Sequence, residues 1–168
     1  MRTALIPGSF DPFHNGHLEV VETASQLFDS VIVAAGRNPS KTMVFDLEER
    51  REMIAESVRH LDNVKVELFA SLVVDLARQL GADVLVKGLR VSTDFEYELQ
   101  QAQMNKAISG IETVFFPCAS DSSFIVSSLI RDIARWGGSE RVSSFVPRPI
   151  YDRLLERFPP HAMTSPDG

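Results

Sequence analysis

The sequence contains very little cysteine and no long hydrophobic run, and each shortage excludes a class of protein. Cys118 is the only cysteine among 168 residues, so an internal disulfide and a CxxC metal knuckle are both excluded, and a reducing compartment fits. No apolar stretch approaches the length of a membrane span, and no signal-peptide core precedes the first predicted strand. Asn38-Pro39-Ser40 is not a glycosylation sequon, because proline occupies its middle position. We therefore expect a soluble cytoplasmic protein with no membrane partner.

Basic charge is also in short supply. The formal net charge of −6 argues against non-specific binding of nucleic acid, although it leaves room for a local basic pocket that holds a small anion. A chain of this length with 44% hydrophobic residues fits one domain with a sizeable core. We assign residues 1–158 to that domain, and we expect the proline-containing residues 159–168 to form a disordered tail.

Several familiar catalytic patterns are missing. Residues 36–42 approach a P-loop, but they have no glycine before Lys41, and Pro39 removes a backbone N–H group. The dinucleotide pattern G-x-G-x-x-G and the hydrolase pattern G-x-S-x-G are absent. His14 and His17 could share a helical face as metal ligands, but the few other histidines and the isolated cysteine offer no further ligands nearby. We therefore expect no metal site built from protein side chains.

Short apolar runs alternate with helical patterns along the chain. The predicted strands are Ala4–Ile6, Val31–Ala35, Val64–Leu68, Val84–Val86 and Val114–Phe116. The predicted helices start near Gly16, after the capping box that Asp46 opens, at Leu72 with Ser71 as cap, at Asp94, at Ser127 and near Ile150. This alternation predicts an α/β fold, a doubly wound five-stranded parallel sheet with helices on both faces. Ligands of such sheets bind beyond the carboxyl ends of the strands, so the loops that follow the strands should share one site.

The loop after the first strand is the most informative part of the sequence. It reads Pro7-Gly8-Ser9-Phe10-Asp11-Pro12-Phe13-His14-Asn15-Gly16-His17 and leads into a predicted helix. Backbone N–H groups, a hydroxyl and two imidazoles therefore gather at a helix N-terminus, where an anionic phosphate is favoured. His17 can donate to a phosphoryl oxygen, and Gly16 leaves room for a ligand to approach. A proline-rich turn that its histidines merely cap is the simpler alternative.

Cations and hydroxyls follow other predicted strands at the same edge of the sheet. Lys41 and Lys87 lie on separate loops, and Arg90 can bind phosphate through a fork of donors. The hydroxyls that precede the fifth predicted helix belong to Ser123, Ser127 and Ser128. Solvated lysines and capping serines are the ordinary alternatives. Transfer of a nucleotidyl group suits such a set, because it requires positioning and charge stabilisation and no covalent nucleophile.

Five segments, in this order, resemble the phosphopantetheine adenylyltransferases of the H-x-G-H nucleotidyltransferase superfamily. They are the loop ending in His14–His17, the segment Asn38–Lys41, the segment Val86–Arg90, the segment Asp94–Glu98 with Met104-Asn105, and the segment Ser123–Ser128. The resemblance implies a Rossmann-like fold and the transfer of the adenylyl group of ATP to 4′-phosphopantetheine, which gives dephospho-CoA and pyrophosphate in coenzyme A biosynthesis. It also implies Mg²⁺ as cofactor and a homohexameric assembly.

The same resemblance implies roles for individual residues. His17 is expected to contact the ATP phosphates and to stabilise the transition state, and Ser9 to touch both substrates. The acceptor is expected to contact Ser9, Lys41, Val73 and Lys87. The expected ATP contacts are Ser9, Phe10, His17, Gly88, Leu89, Arg90, Glu98, Ser122, Ser123, Phe124, Ile125, Val126, Ser127 and Ser128. Since His17 would act by stabilising charge, we expect no covalent enzyme intermediate.

Three positions depart from what is frequent in that family. Ser122 stands where an aromatic residue is frequent, and Val126 stands where the first serine of a triplet is frequent. Lys87 stands where arginine is frequent, which exchanges a bidentate clamp for a point charge. These departures remove a stacking ring and one hydroxyl from the expected ATP site.

Two other functions compete with the adenylyltransferase interpretation. The same fold could serve another acceptor, as in nicotinamide-mononucleotide adenylyltransferases or cytidylyltransferases, but Lys41, Lys87–Arg90 and Asp94–Glu98 together favour the pantetheine acceptor. A non-catalytic nucleotide sensor is the alternative from another class. It is disfavoured because His14 and His17 are both present with the cations, and a sensor needs no donor to the transition state.

Overall fold

Five parallel strands form the centre of this computed structural model, which describes residues 1–37, 42–90, 92–119 and 121–160, with residues 92–94 described in backbone only. The strands are β1 (Thr3–Gly8), β2 (Ser30–Gly36), β3 (Val64–Phe69), β4 (Val84–Leu89) and β5 (Glu112–Pro117). The helices are α1 (Asn15–Leu27), α2 (Leu47–Ser57), α3 (Val73–Leu80), α4 (Ser92–Ser109), α5 (Ser127–Gly137) and α6 (Arg148–Arg157), with a short 3-10 helix at Ser139–Val142. All five predicted strands and their alternation with helices are confirmed.

The strand order is β3-β2-β1-β4-β5, and every neighbouring pair runs parallel. β1 lies at the centre, where Leu5 pairs with Ile32 of β2 on one side and with Leu85 of β4 on the other. The chain builds the sheet outward from β1 to β3 and then crosses back to β4, so the order reverses between β1 and β4. This reversal opens a crevice at the carboxyl ends of these two strands, the usual ligand position in such sheets.

Successive residues of the strands point to opposite faces of the sheet and pack into two separate hydrophobic cores. Ala4 and Ile6 point to the face that α1, α2, α5 and α6 cover, and they belong to a large buried cluster with residues of those helices. Leu5 and Leu85 point to the opposite face and pack with α3. α4 lies on this second face, since the ring of Phe95 meets that of Phe115 of β5 edge to face, with centroids 6.1 Å apart. The predicted helices on both faces of the sheet are confirmed.

The capping box predicted at the start of α2 is present. The Asp46 carboxylate accepts the Glu49 N–H at 2.8 Å, and the Glu49 carboxylate accepts the Asp46 N–H at 2.8 Å. The helix ends at Ser57, because the chain turns at Val58, whose C=O accepts the Leu61 N–H at 2.9 Å, and then enters β3.

The start of α3 differs from the prediction. Leu72 is the N-cap residue, no side chain caps the helix, and the Ser71 hydroxyl donates to the Leu72 C=O at 3.5 Å. Leu72, with its extended backbone, is the last residue before the helix. The Ser71 hydroxyl lies one residue too early in the chain and makes no capping hydrogen bond to the first N–H groups of α3. α3 ends at Gly81, whose φ of 67° is the left-handed conformation that glycine adopts easily.

None of the described helices combines the length and apolarity that crossing a membrane requires. α6 ends at Arg157 and Pro159 and Pro160 follow it outside any helix. Residues 161–168 of the expected tail lie outside the described residues, so the tail stays a prediction.

Candidate active site

A cavity of about 510 Å³ lies at the carboxyl ends of β1 and β4, in the crevice that the strand order predicts. Its wall comes from the β1–α1 loop, the end of β4, one face of α4 and the start of α5. The predicted site residues in this wall are Ser9, Phe10, His17, Lys87, Gly88, Arg90, Glu98, Val126, Ser127 and Ser128. The fold therefore brings together residues from both ends of the chain.

The remaining predicted site residues that the structure describes lie outside this wall. Phe124 is exposed, and its ring meets that of Phe145 edge to face. Val73 starts α3 and packs against the core on the second face of the sheet. Lys41 lies outside the described residues. The others away from the wall are Leu89, Ser122, Ser123 and Ile125. Their contacts with substrate stay predictions.

The β1–α1 loop turns sharply at Phe10, which has a φ of 49°. The Phe10 ring folds back over Gly8, where a Cβ atom would lie 2.7 Å from Phe10 Cε1, so a side chain at position 8 would collide with the ring. The same ring meets the His17 imidazole edge to face, with centroids 4.9 Å apart. Phe10 is thus the buried support on which the His17 ring rests, and Gly8 leaves the room that the Phe10 ring needs.

Arg50 and Asp11 tie this loop to the segment between β2 and α2. The Arg50 guanidinium, 1% exposed, donates to the C=O groups of Ser9 and, at 2.9 Å, Gly36. Its Nε donates to the Asp46 C=O at 3.2 Å. Burial lowers the pKa of Arg50, and the negative charges of Asp11 and Asp46 raise it by a smaller amount. The guanidinium therefore joins the ends of β1 and β2 through their carbonyl groups.

The Asp11 carboxylate also bonds the β1–α1 loop to the residues that precede α2. Its two oxygens accept the N–H groups of Val44 and Phe45, both at 2.9 Å. The Arg131 guanidinium of α5 donates to the Asp11 C=O at 2.6 Å. Residue 11 thus fixes the loop to both the approach to α2 and the first turns of α5.

His14 and His17 have their imidazole tautomers set by the start of α1. His14 Nδ1 accepts the Gly16 N–H at 3.1 Å, and His17 Nδ1 accepts the His14 N–H at 3.2 Å. Because each Nδ1 is an acceptor, the proton of each neutral ring sits on Nε2. The two rings stack with centroids 3.6 Å apart. Each ring therefore carries one N–H donor beyond the helix cap.

Both rings are neutral at neutral pH. Burial lowers the pKa of His14 from 6.5 to about 3, with a further contribution from the positive charge of Arg90. Burial lowers the pKa of His17 well below 6.5, as do His14 and Arg90. A neutral donor keeps its hydrogen bond to a phosphoryl oxygen without a permanent charge, so its stabilisation can grow as charge develops on that oxygen.

Three cations line the cavity around the histidine pair. Lys87 at the end of β4 pairs with Glu98 of α4, with Nζ and Oε2 3.1 Å apart. The Arg90 guanidinium donates to the Ile125 C=O at 3.1 Å, and Arg131 contacts the β1–α1 loop. Since these cations surround neutral donors at a helix N-terminus, the cavity suits a polyphosphate.

Gly88 is needed where β4 ends. A Cβ atom there would lie 2.9 Å from Val20 Cγ2 of α1 and 3.2 Å from Cys118 Sγ, so a side chain would push α1 and the end of β5 away from the cavity. The Ser127 hydroxyl donates to the Pro12 C=O at 2.9 Å, which attaches the start of α5 to the β1–α1 loop. The hydroxyl of this predicted ATP contact thus already has a protein partner.

Several residues of the site were not predicted from the sequence. Arg131 could have been found, since it lies three and four residues after Ser128 and Ser127 and so shares their helix face. Tyr97 and Gln101 could have been added by the same spacing from Glu98. Arg50 has no such signal, because a charged residue in a polar helix predicts exposure. The cavity wall also contains Asp11, Met43 and Cys118, for which the sequence predicted no role in the site, and His14, which it placed at the helix N-terminus without a role of its own.

Among the described residues, no group of three or more His, Cys, Asp or Glu side chains is placed to hold a metal ion. The carboxylates in the cavity wall have protein partners, Asp11 with two backbone N–H groups and Glu98 with Lys87. A magnesium ion bound by side chains alone therefore does not fit the described wall, whereas one carried by phosphate oxygens needs no such ligands.

Comparison with known proteins matches the cytidylyltransferase-like family over residues 5–133, from β1 into α5. The chain is 50% identical over 157 residues to a phosphopantetheine adenylyltransferase of Synechococcus sp. (strain JA-2-3B'a(2-13)), a match that covers 93% of this chain and 98% of that protein. The match therefore includes every element from which the cavity is built.

Solved structures share the architecture at much lower identity. Thermotoga maritima TmcAL bound with alpha-thio ATP is 18% identical, with a TM-score of 0.65 over 94% of this chain and 56% of that one. A bifunctional NMN adenylyltransferase/ADP ribose pyrophosphatase of Francisella tularensis, complexed with AMP and an Mn ion, is 17% identical, with a TM-score of 0.65 over 92% of this chain and 48% of that one. At these identities the likeness shows the fold alone.

The lowered histidine pKa values make stability depend on pH. In the unfolded chain His14 titrates near 6.5 and in the folded chain near 3, so above pH 6.5 neither state binds the proton. As pH falls below 6.5 the unfolded state gains protons first, and we expect the free energy of unfolding to fall by up to about 1.4 kcal/mol per pH unit for each such histidine. Denaturant titrations between pH 7 and 4.5 measure this slope.

The variant His14→Asn separates this cause from general acid denaturation. Asparagine is a good N-cap and does not titrate, so it should remove the part of the slope that His14 contributes, leave the part from His17, and keep the start of α1. The control His60→Asn changes an exposed histidine that pairs with Glu22 at the surface, away from the start of α1. An unchanged slope in His14→Asn would contradict the assignment.

Proposed function

The chain belongs to the phosphopantetheine adenylyltransferase family, within the cytidylyltransferase-like nucleotidyltransferases, and from that premise we propose that it transfers the adenylyl group of ATP to 4′-phosphopantetheine. An oxygen of the acceptor phosphate attacks the α-phosphorus of ATP, the bond to the β-phosphate oxygen breaks, and pyrophosphate leaves with dephospho-CoA as the other product. This reaction belongs to coenzyme A biosynthesis. The observation that carries the proposal is the neutral histidine pair at the start of α1, set among Lys87, Arg90 and Arg131.

His17 is the proposed catalytic residue. Its Nε2–H would donate to an oxygen of the α-phosphate, whose charge changes as the fifth bond to phosphorus forms. Because His17 Nδ1 is held by the His14 N–H, the ring cannot turn away, and the donor is already oriented before the reaction. No residue is required as a covalent nucleophile, so the adenylyl group would pass directly to the acceptor.

The three cations would divide between the two substrates. Lys87 at the end of β4 forms one side of the cavity, which we assign to the acceptor phosphate. Arg90, Arg131 and the start of α5 form the other side, which we assign to ATP. Magnesium would enter with ATP on its phosphate oxygens and neutralise part of their charge.

The acceptor decides between this proposal and its nearest alternative. Mixing the protein with Mg²⁺, ATP and one candidate acceptor, and measuring pyrophosphate release, should give turnover with 4′-phosphopantetheine and little with nicotinamide mononucleotide. CTP with glycerol 3-phosphate tests the cytidylyltransferase alternative in the same assay. Turnover with another acceptor alone would overturn the assignment, and ATP binding without pyrophosphate release would indicate a nucleotide sensor.

We expect His17→Ala to lower kcat about 100- to 1,000-fold while changing the Kd of ATP much less. The reason is that a donor which strengthens in the transition state contributes to kcat more than to ground-state binding. Steady-state kinetics and calorimetric ATP binding measure the two effects. The exposed His60→Ala serves as the control, and wild-type turnover in His17→Ala would remove His17 from the mechanism.

Lys87 and Lys41 are expected to affect the KM for 4′-phosphopantetheine more than the KM for ATP. Lys87→Ala should raise KM for 4′-phosphopantetheine more than KM for ATP, because the lysine lies on the acceptor side of the cavity. Lys41→Ala should do the same on the family resemblance. Lys65→Ala, an exposed lysine of β3 outside the cavity wall, is the control. A rise confined to KM for ATP would show that the two sides have been assigned to the wrong substrates.

We propose a homohexamer for the assembly. The family resemblance suggests it, and α5 supports it, because Leu129, Ile133 and Trp136 form an exposed apolar stripe while Ile130 of the same helix is buried. Closed symmetry would bury such a stripe against other copies. Light scattering at micromolar concentration should give about six times the 18.7 kDa of one chain, and Trp136→Glu should reduce that mass. A wild-type mass near that of one chain would refute the assembly.

A further inference from the structure

Glu19 of α1 reaches across to the segment that follows β5. Its Oε1 accepts the Ala119 N–H at 2.9 Å, and its Oε2 accepts the Ser122 hydroxyl. The Ser122 side chain is nearly buried, at 8% exposure, and its hydroxyl also lies 3.2 Å from the Ala119 C=O. One carboxylate thus binds two donors of a tight turn that lies far away in the sequence.

This turn lies between two parts of the cavity wall. Cys118 precedes it and Val126 follows it, and both line the cavity, whereas Glu19 does not. The Ser122 C=O lies 3.6 Å from the position that a Cβ atom of Gly16 would take, so the turn packs onto the glycine before His17. Any influence of Glu19 on a ligand must therefore pass through the position of this turn.

Other contacts hold the ends of the same segment. The Cys118 N–H donates to the Leu89 C=O at 2.8 Å, and the Ser127 hydroxyl donates to the Pro12 C=O. These contacts fix where the segment leaves β5 and where it enters α5, and Arg90 and Phe145 hold Ile125 and Phe124 near α5. Glu19 binds the part nearer β5, at Ala119 and Ser122, and attaches it to the helix whose first turn carries His17.

We propose that Glu19 is a positioning residue for ATP, which sets the wall between Cys118 and Val126 against the start of α1. This inference rests on the proposed function, which assigns that side of the cavity to ATP. Ser122 is the partner through which Glu19 acts, so its hydroxyl serves the protein and not the nucleotide.

The test measures the Kd of ATP and of 4′-phosphopantetheine separately, by calorimetry on the full-length protein. Glu19→Ala removes the acceptor of the Ala119 N–H and one of the two acceptors of the Ser122 hydroxyl, and we expect the Kd of ATP to rise about tenfold with that of 4′-phosphopantetheine unchanged. Ser122→Ala should raise it less, because Ala119 keeps its partner. The double variant should bind ATP no more weakly than Glu19→Ala, since both changes remove the same contact.

Rescue by Glu19→Gln separates geometry from charge. The glutamine amide can accept the Ala119 N–H and donate to the Ser122 hydroxyl oxygen, whose own proton can go to the Ala119 C=O. We therefore expect the Kd of ATP in Glu19→Gln to lie within about threefold of wild type. The matched control is Glu22→Gln on the same helix, whose carboxylate contacts His60 at the surface, and it should leave both Kd values unchanged.

The proposal is overturned if Glu19→Ala binds ATP as the wild type does, or if it weakens both ligands equally, as a general loss of structure would. It is also overturned if Glu19→Gln is as impaired as Glu19→Ala. Failure of the proposed function is seen separately. If the wild type binds ATP but releases no pyrophosphate with 4′-phosphopantetheine, the acceptor assignment falls, while the Kd of ATP in the variants still decides the role of Glu19.

Discussion

The geometry of the site depends on one buried charge, the guanidinium of Arg50. A cation removed from water costs several kcal/mol unless donors and acceptors replace the water, and here the C=O groups of Ser9, Gly36 and Asp46 do so. Those three groups end β1, end β2 and precede α2. Arg50 therefore holds three separate parts of the chain in one place, and the turn at Phe10 follows directly from the fixed position of Ser9.

The fixed loop decides the protonation of the histidines. Since the loop buries both rings and its backbone N–H groups occupy each Nδ1, the rings stay neutral and present Nε2–H. The positive charge of the cavity comes from Lys87, Arg90 and Arg131 instead. The cations that attract phosphate and the neutral histidines that donate to it are thus different residues. The site can therefore attract a polyanion without placing a permanent positive charge on the donors next to the reacting phosphorus.

Local patterns in the sequence predicted the elements because short-range forces form them. The strands could be located from apolar runs, and α2 from the Asp46 and Glu49 pair, whose reciprocal bonds span only three residues. The prediction that Ser71 caps α3 was wrong. A hydroxyl near a helix start is common, and here the backbone conformation makes Leu72 the N-cap residue. The candidate site was recognised from loops that follow strands, which placed His17, Lys87, Arg90 and the serines of α5 at one edge of the sheet.

The sequence by itself determined the class of fold, the edge of the sheet that holds the site and the family to which the chain belongs. Tertiary structure alone decided which side chains meet there. Arg50, Asp11 and Glu19 act through partners far away in the sequence: Ser9 lies 41 residues from Arg50, Ser122 lies 103 residues from Glu19, and Arg131 lies 120 residues from Asp11. No local pattern encodes such pairs, because the free energy that favours them comes from burial and from donors and acceptors that become neighbours only when the sheet has formed.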